Sequence, residues 1–388
     1  MSPSPAPIVS GVANGQLPGI LPGILMAAAG VGALAVSAWL TRRLSRGEIP
    51  ALRILDHPNA RSLHHRPVPR SGGVGLLAGL LAGILAGVLA ALLIALVTGL
   101  PLGQLVVRAV GPLFAPLAWI LPAVLLVAAV SLRDDLGDVP QHWRLAAHLG
   151  AAALLLLGGL HWGRLDLPGL AVPFPAWLAW TLTAFYVVWM INLYNFMDGM
   201  DGLAGSMAAI GFGALAWLGW RAGAFGYAGA ALVVALAAVG FLTRNLPPAR
   251  IFLGDVGSSV LGLLAAALTL WGAQLGLFPL WAGWLIFSPF IVDASWTLLR
   301  RLWRREPFWR AHRSHHYQRL VLAGWSHGRT LGRAVLLMLA AAASAVAAVG
   351  MTPAEQWTLL FAWAGVYGLV HVRVGLAERA ADQRQAAP

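Results

Sequence analysis

The chain of 388 residues contains no cysteine. That excludes disulfides, thiolate metal sites and thiol nucleophiles together. Lysine is absent as well, so all 26 basic residues are arginine. Charged residues make up only 10% of the chain, against 59% hydrophobic residues and a mean hydropathy of +0.75. A soluble domain carries more charge than this, so the composition points to lipid as the main solvent. Internal repeats are missing too, and only the first 23 residues are rich in Pro, Gly and Ser. One membrane domain is expected.

Apolar runs long enough to cross a bilayer as helices recur throughout. They lie near 20–41, 72–98, 112–132, 145–162, 175–193, 203–220, 227–243, 257–275, 279–299, 330–350 and 355–372. The fold expected is all-α and polytopic, with about eleven transmembrane helices, or ten if the runs on either side of the turn Gly276 to Pro279 are not separate. Residues 1–19 read as a flexible extracytoplasmic segment, 20–373 as the membrane domain and 374–388 as a cytoplasmic tail. The N-terminal stretch has no Arg or Lys and so lacks the basic region of a cleaved signal peptide. The first apolar run is therefore expected to be retained as a span.

Arginine placement gives the orientation. Arg42, Arg43, Arg46, Arg53, Arg61, Arg66 and Arg70 follow the first run, and nine more lie between Arg300 and Arg333. With these connections inside, only Arg108, Arg164 and Arg221 fall outside. The net charge of +12 is thus concentrated on one face, where it suits anionic lipid or an anionic substrate. Nucleic acid is not expected, because the arginines are not interleaved with aromatics on a soluble domain.

Asp134, Asp135, Asp198, Asp201, Asp255 and Asp293 all fall at or near the ends of runs on that same face. A transporter would hold ionisable groups at mid-membrane, so transport is disfavoured. In NLYNFMDGMDGLAG, Asn192, Asn195, Asp198 and Asp201 are spaced by three. At that spacing they drift around a helix by half a turn and cannot share one face. Gly199 and Gly202 place the helix end near Asp198, gathering four oxygen-bearing side chains at a membrane face. Oxygen donors without Cys or His suit Mg²⁺, or Mn²⁺, more than zinc.

Three further stretches carry polar chemistry. In RNLPPARIFLGDVGSS, Asp255 sits between Gly254 and Gly257 in a tight turn leading into a helix. Such a turn can offer N–H groups to phosphate while the carboxylate holds a metal. DHPNARSLHHRPVPRSGG, Asp56 to Gly73, reads as an ordered loop that packs back on the membrane face. In WRREPFWRAHRSHHYQRL, His312, Arg313, His315 and His316 suit an anion site, with a membrane-surface amphipathic segment as the plainer reading. Residues 330–388 carry no motif and are assigned to packing, with His371 read as an interfacial side chain.

These motifs, with SLRDDLGD, occur in an order that resembles the polyprenyl-phosphate N-acetylhexosamine-1-phosphate transferase superfamily, glycosyltransferase family 4, over about residues 50–325. The resemblance implies a UDP-N-acetylhexosamine:undecaprenyl-phosphate transferase. It would need Mg²⁺, release UMP and work at the cytoplasmic face of a bacterial inner membrane. By the same resemblance, Asp255 is the metal-binding aspartate and Asn195 a second oxygen ligand. Asp134 and Asp135 handle the lipid phosphate, and His315 and His316 join them as catalytic residues. Substrate binding falls to Asn192, Asp198, Asp201, Asn245, Arg144, Arg66, Arg70, His312 and Arg313. Arg144 stands where the family commonly has another basic residue, lysine.

RPVPRSGG and HRSHHYQ depart from the loops of the muramoyl-pentapeptide branch, which usually shows a GTPTMGG-type first loop and three consecutive histidines. The resemblance is closer to the branch that initiates O-antigen, with GlcNAc or a deoxy sugar such as FucNAc or QuiNAc as the donor sugar. The partners implied are the UDP-sugar, undecaprenyl phosphate and the bilayer, with room for a homodimer. The competing readings are the muramoyl-pentapeptide transferase, a lipid-linked sugar transporter and a periplasmic lipid-linked glycosyltransferase.

Overall fold

The computed structural model describes residues 21–58, 62–64, 66–98, 111–306 and 312–386. The expected segment 1–19 and parts of three connections, including Arg61, His65, Arg108 and Arg310, lie outside these residues. Thirteen α-helices account for most of the described chain. They are α1 (Leu21–Ser45), α2 (Gly72–Thr98), α3 (Gly111–Leu136), α4 (Gln141–Leu157), α5 (Ala176–Phe196), α6 (Leu203–Arg221), α7 (Phe225–Asn245), α8 (Gly254–Gln274), α9 (Leu280–Ile286), α10 (Ser288–Trp303), α11 (His316–Leu322), α12 (His327–Ala348) and α13 (Pro353–Ala386).

Nine of these are long and apolar enough to cross a membrane, and α9 with α10 makes a tenth element bent by 84°. The remaining apolar run forms α4, which has 17 residues and spans about 26 Å at 1.5 Å per residue. Its ends show that it runs the full distance. Arg144 in its first turn pairs with Asp255 at the start of α8, and Gly159 just past its end accepts from Gln274 at the end of α8. All eleven apolar runs are thus helical, and their arginine-rich ends gather on one face.

Two features were not expected. Short antiparallel pairs flank the helices: β1 (Leu55–Asp56) with β2 (Val68–Pro69), and β3 (Arg164–Leu167) with β4 (Leu170–Pro173). The break between α9 and α10 follows from Pro289, whose ring cannot continue the helix past residue 285. The Ser288 hydroxyl donates to the Leu285 carbonyl at 2.7 Å, occupying the acceptor that the proline leaves open.

At the centre is α8, with 94% of its apolar stretch buried among α3, α5 and α2. Lipid supplies no hydrophobic drive between helices, so their association rests on close approach of small residues. Gly262 meets the backbone of α5, where an added Cβ would lie 2.5 Å from the Met190 carbonyl. Gly73 meets Gly257 in the same way, with its Cβ position 2.3 Å from the Gly257 nitrogen. The glycine pair at the start of α2 therefore lets the first loop sit directly on the start of α8. Backbone hydrogen bonds complete the join: Phe252 N–H to Pro69, Gly72 N–H to Phe252 and Gly73 N–H to Leu253. The loop packs back on the membrane face as its sequence suggested.

Candidate active site

The site forms where the ends of α3, α5, α7, α10 and α13 meet the starts of α4, α8, α11 and α12 on the arginine-rich face. Asp134 and Asp135 end α3, and their side chains diverge. The Asp134 carboxylate accepts the Val139 N–H at 2.9 Å and pairs with Arg144 Nη1 at 2.8 Å. Arg144 also reaches Asp255, with Nη2 3.5 Å from Oδ2, while the Asp134 and Asp255 carboxyls lie within hydrogen-bonding reach of one another. Asp135 is buried, and its carboxylate accepts the N–H groups of Asp255 and Val256 at 3.3 and 3.2 Å. It caps α8 from a neighbouring helix, placing negative charge on orphan donors at the helix start. Arg70 holds Asp135 in turn, with Nη2 donating to its carbonyl at 2.7 Å and Nε 3.7 Å from Oδ1.

The stretch 192–201 divides as its spacing required. α5 stops at Phe196 and the chain turns through Gly202 at φ 74°. Asn192 donates to Val188 and lies 3.3 Å from His148 Nδ1. Asn195 donates its amide to Asp255 Oδ1 at 2.8 Å and to Ser258 Oγ at 3.0 Å. With its nitrogen toward Asp255, Asn195 orients that carboxylate instead of lending it an oxygen as fellow ligand. Asn245 is buried and ties two loops together, accepting from Gly202 N–H and donating to the Ile251 carbonyl. Here it braces the site from behind.

Asp198 lies in the turn near Asp255 and Asp135. Burial, and then the charges of Asp255 and Asp135, push its carboxyl well above the ordinary carboxylate range. Even with Asp198 protonated, three carboxylates share this corner with the guanidiniums of Arg70 and Arg144, a charge imbalance that a cation would relieve. Among the described residues no three His, Asp or Glu side chains form a metal cage by themselves. A hard cation such as Mg²⁺ uses one or two carboxylates and completes its shell with substrate phosphates and water. Asp255 and Asp134 fit that pattern.

Asp201 faces away, accepting the Ala249 N–H at 3.0 Å with Oδ2 3.2 Å from His327 Nδ1. Burial would raise its carboxyl, but the hydrogen bonds from His327 and Ala249 hold it below the ordinary range. An acid lowered in the folded state contributes stability above its unfolded value of about 3.9, and loses it as pH falls through the lower folded value. Asp201→Asn is therefore expected to destabilise the protein at pH 6, with the deficit shrinking progressively below about pH 4. Thermal unfolding in detergent across pH 3 to 6 measures it, and a deficit that persists unchanged at the acid end counts against this role.

The His-rich loop splits in function. The His316 N–H donates to both oxygens of Asp293 at 2.9 and 3.0 Å, and its Nδ1 lies 2.9 Å from Oδ1. His315 is buried, with Nδ1 3.5 Å from the same oxygen and its ring stacked near Phe196 and Tyr317. His312 lies 5.0 Å from the His315 ring. Burial first, then His315 and Arg301, push its imidazole down to about 4. At neutral pH it is an uncharged hydrogen-bonding group. Arg313 and Arg66 are exposed.

Sequence reasoning assigned no role to His148, His327 or Glu378, counted Asp293 only among the six acids of the arginine-rich face, and set His371 aside as interfacial. His371 in fact meets His316, with Nδ1 3.1 Å from Nε2, and Glu378 pairs with Arg319. The readable signal was an ionisable side chain inside an apolar helix.

The family model for glycosyl transferase family 4 matches residues 117–273, which holds Asp134, Asp135, Arg144, Asn195 and Asp255. The chain is 28% identical over 239 residues to a probable undecaprenyl-phosphate N-acetylglucosaminyl 1-phosphate transferase of Bacillus subtilis (strain 168), covering 61% of this chain and 66% of that one. It is 39% identical over 126 residues to a phospho-N-acetylmuramoyl-pentapeptide-transferase of Geobacillus kaustophilus (strain HTA426), covering 31% and 36%. A protein of the same name from Shouchella clausii (strain KSM-K16) is 34% identical over 196 residues, covering 48% and 58%. Each match spans less than two thirds of the relative's own length. With the residues that the family match covers gathered at one end of α8, the chain is similar to glycosyl transferase family 4 over residues 117–273 and to these undecaprenyl-phosphate and muramoyl-pentapeptide transferases in sequence.

Proposed function

We propose that this protein transfers an N-acetylhexosamine 1-phosphate from a UDP-sugar to undecaprenyl phosphate, releasing UMP and initiating O-antigen or a related surface polysaccharide. The observation that carries the reading is the pairing of Asp134 and Asp255 across Arg144, on the arginine-rich face of a membrane protein. Both substrates are polyanions, and a lipid phosphate reaches protein only at a membrane face. By the positive-inside rule that face is cytoplasmic, in the bacterial inner membrane.

In this reading an oxygen of the lipid phosphate attacks the β-phosphorus of the UDP-sugar, a new P–O bond forms, and the bond to the α-phosphate oxygen breaks to give UMP. Asp255 and Asp134 would hold Mg²⁺, which would supply charge neutralisation for the diphosphate. Direct displacement suits the geometry, since both oxygens of Asp135 accept backbone N–H groups and Asp134 is held by Arg144 and Val139. Asp134 orients the lipid phosphate and accepts its proton when it arrives protonated. Arg144 holds the two carboxylates apart from their neighbours and adds a cation beside the phosphates.

The N-acetylglucosamine relative matches over the longer stretch, and the muramoyl-pentapeptide relatives match more closely over a shorter one. The test is UMP release by purified protein with undecaprenyl phosphate, Mg²⁺ and a panel holding UDP-GlcNAc, UDP-FucNAc, UDP-QuiNAc and UDP-MurNAc-pentapeptide. Lipid- and Mg²⁺-dependent release from one of the first three is expected. Release from the pentapeptide donor alone reassigns the branch, and no release from the panel defeats the proposal.

A further inference from the structure

Among the long apolar helices α13 is the least enclosed, with only 11% of its apolar stretch buried. Its polar contacts come at successive heights. Trp357 Nε1 donates to the Pro168 carbonyl at 3.1 Å near one face. Further along, the Tyr367 hydroxyl lies 2.5 Å from the Ser288 hydroxyl, at the break between α9 and α10. His371 then meets His316, its ring set edge-on to Trp296 of α10 with centroids 5.0 Å apart. Glu378 takes both arms of Arg319 in a bidentate pair. The last three land on the bent helix or on α11, the short helix that closes the His-rich loop.

His316 is held from two sides. Its Nδ1 faces Asp293 and its Nε2 faces His371 Nδ1. Both ring nitrogens are therefore engaged, so in this arrangement His316 fastens α11 and does not face a diphosphate. The other side of α11 touches the site. The Tyr317 hydroxyl donates to the Phe196 carbonyl at 3.0 Å, and a Cβ at Gly199 would lie 2.3 Å from that hydroxyl. The same seven-residue helix thus links α13 to the turn that carries Asp198 and follows Asn195.

We propose that α13 is a strap for the transfer, with His371 and Glu378 as positioning residues that fix α11 and, through Tyr317, the turn at 196–202. The proposal rests on the function given above, and the experiment separates the two. Purified His371→Ala and Glu378→Ala are compared with wild type by hydrogen–deuterium exchange over 196–202 and 312–322, and by UMP release. Exchange is expected to quicken about tenfold in both segments, and kcat to fall about tenfold with KM for both substrates within about twofold, as for misplaced groups that still bind. His371→Gln, which keeps a hydrogen-bonding side chain, and the charge-exchanged Arg319→Glu/Glu378→Arg recover both. Unchanged exchange in the alanine variants, or faster exchange with wild-type kcat, overturns the strap. A wild type that releases no UMP overturns the function instead, while the exchange comparison still decides whether α13 holds the loop.

Discussion

Asp255→Asn is expected to lower UMP release by about 10³-fold, equivalent to about 4 kcal/mol of lost transition-state stabilisation, without unfolding the protein. The two halves of that expectation have separate causes. Asparagine has the same shape as aspartate and keeps an oxygen for the Asn195 amide, which donates at 2.8 Å. The ion pair it gives up, to Arg144 at 3.5 Å, is partly exposed, with 30% of the Asp255 side chain accessible. Such a pair contributes less than about 1 kcal/mol. Stability should therefore move little. The chemistry should move a great deal, because under the proposed function the substitution removes a negative oxygen that would hold Mg²⁺ beside the diphosphate. Release of UMP, the unfolding midpoint and the Mg²⁺ concentration for half-maximal rate are the quantities to measure. A variant that keeps its midpoint, loses turnover and needs more Mg²⁺ fits the role. Wild-type turnover at the same Mg²⁺ would mean that Asp255 belongs to structure alone.

Much of this was legible in the sequence, because lipid imposes strict rules. Every unpaired backbone group in hydrocarbon is costly, so apolar runs become helices, and all eleven did. The spacing of Asn192, Asn195, Asp198 and Asp201 kept the four off one face, but the turn gathers only Asn195 and Asp198 at Asp255, while Asn192 meets His148 and Asp201 turns to Ala249 and His327. What escaped was set by contacts between distant segments. Nothing in SLRDDLGD says that one aspartate turns to Arg144 while its neighbour caps a helix 120 residues away. Nor does the composition of 353–386 show that His371 and Glu378 meet the His-rich loop, since only the path of α13 past α11 brings them together. The bend at Ser288-Pro289 was within reach of sequence rules, but the apolar run hid it.

The adjacent pair Asp134 and Asp135 should separate in the laboratory, because the structure gives them different work. Asp135→Ala is expected to cost about 3 kcal/mol of stability as well as most of the activity. It strips the acceptor from two N–H groups at the start of α8 and leaves Arg70 beside an apolar side chain. It also removes a negative charge from a helix N-terminus, where such a charge is stabilising. Activity falls because the backbone that Asp135 holds is that of Asp255 itself. Asp135→Asn keeps one acceptor oxygen but turns an amide toward a donor, so it should fall between alanine and wild type. Asp134→Asn is expected to behave otherwise. Asparagine keeps an oxygen for the loop N–H of Val139 and gives up only the pair to the partly exposed Arg144, so the variant should lose less stability than Asp135→Ala while losing about 10² to 10³ in turnover. Thermal unfolding in detergent beside UMP release tests both at once. If Asp135→Ala unfolds at the wild-type midpoint, the capping assignment fails and Asp135 returns to the chemistry. If both variants lose stability alike, the division between a carboxylate that holds α8 and one that faces the phosphates is wrong.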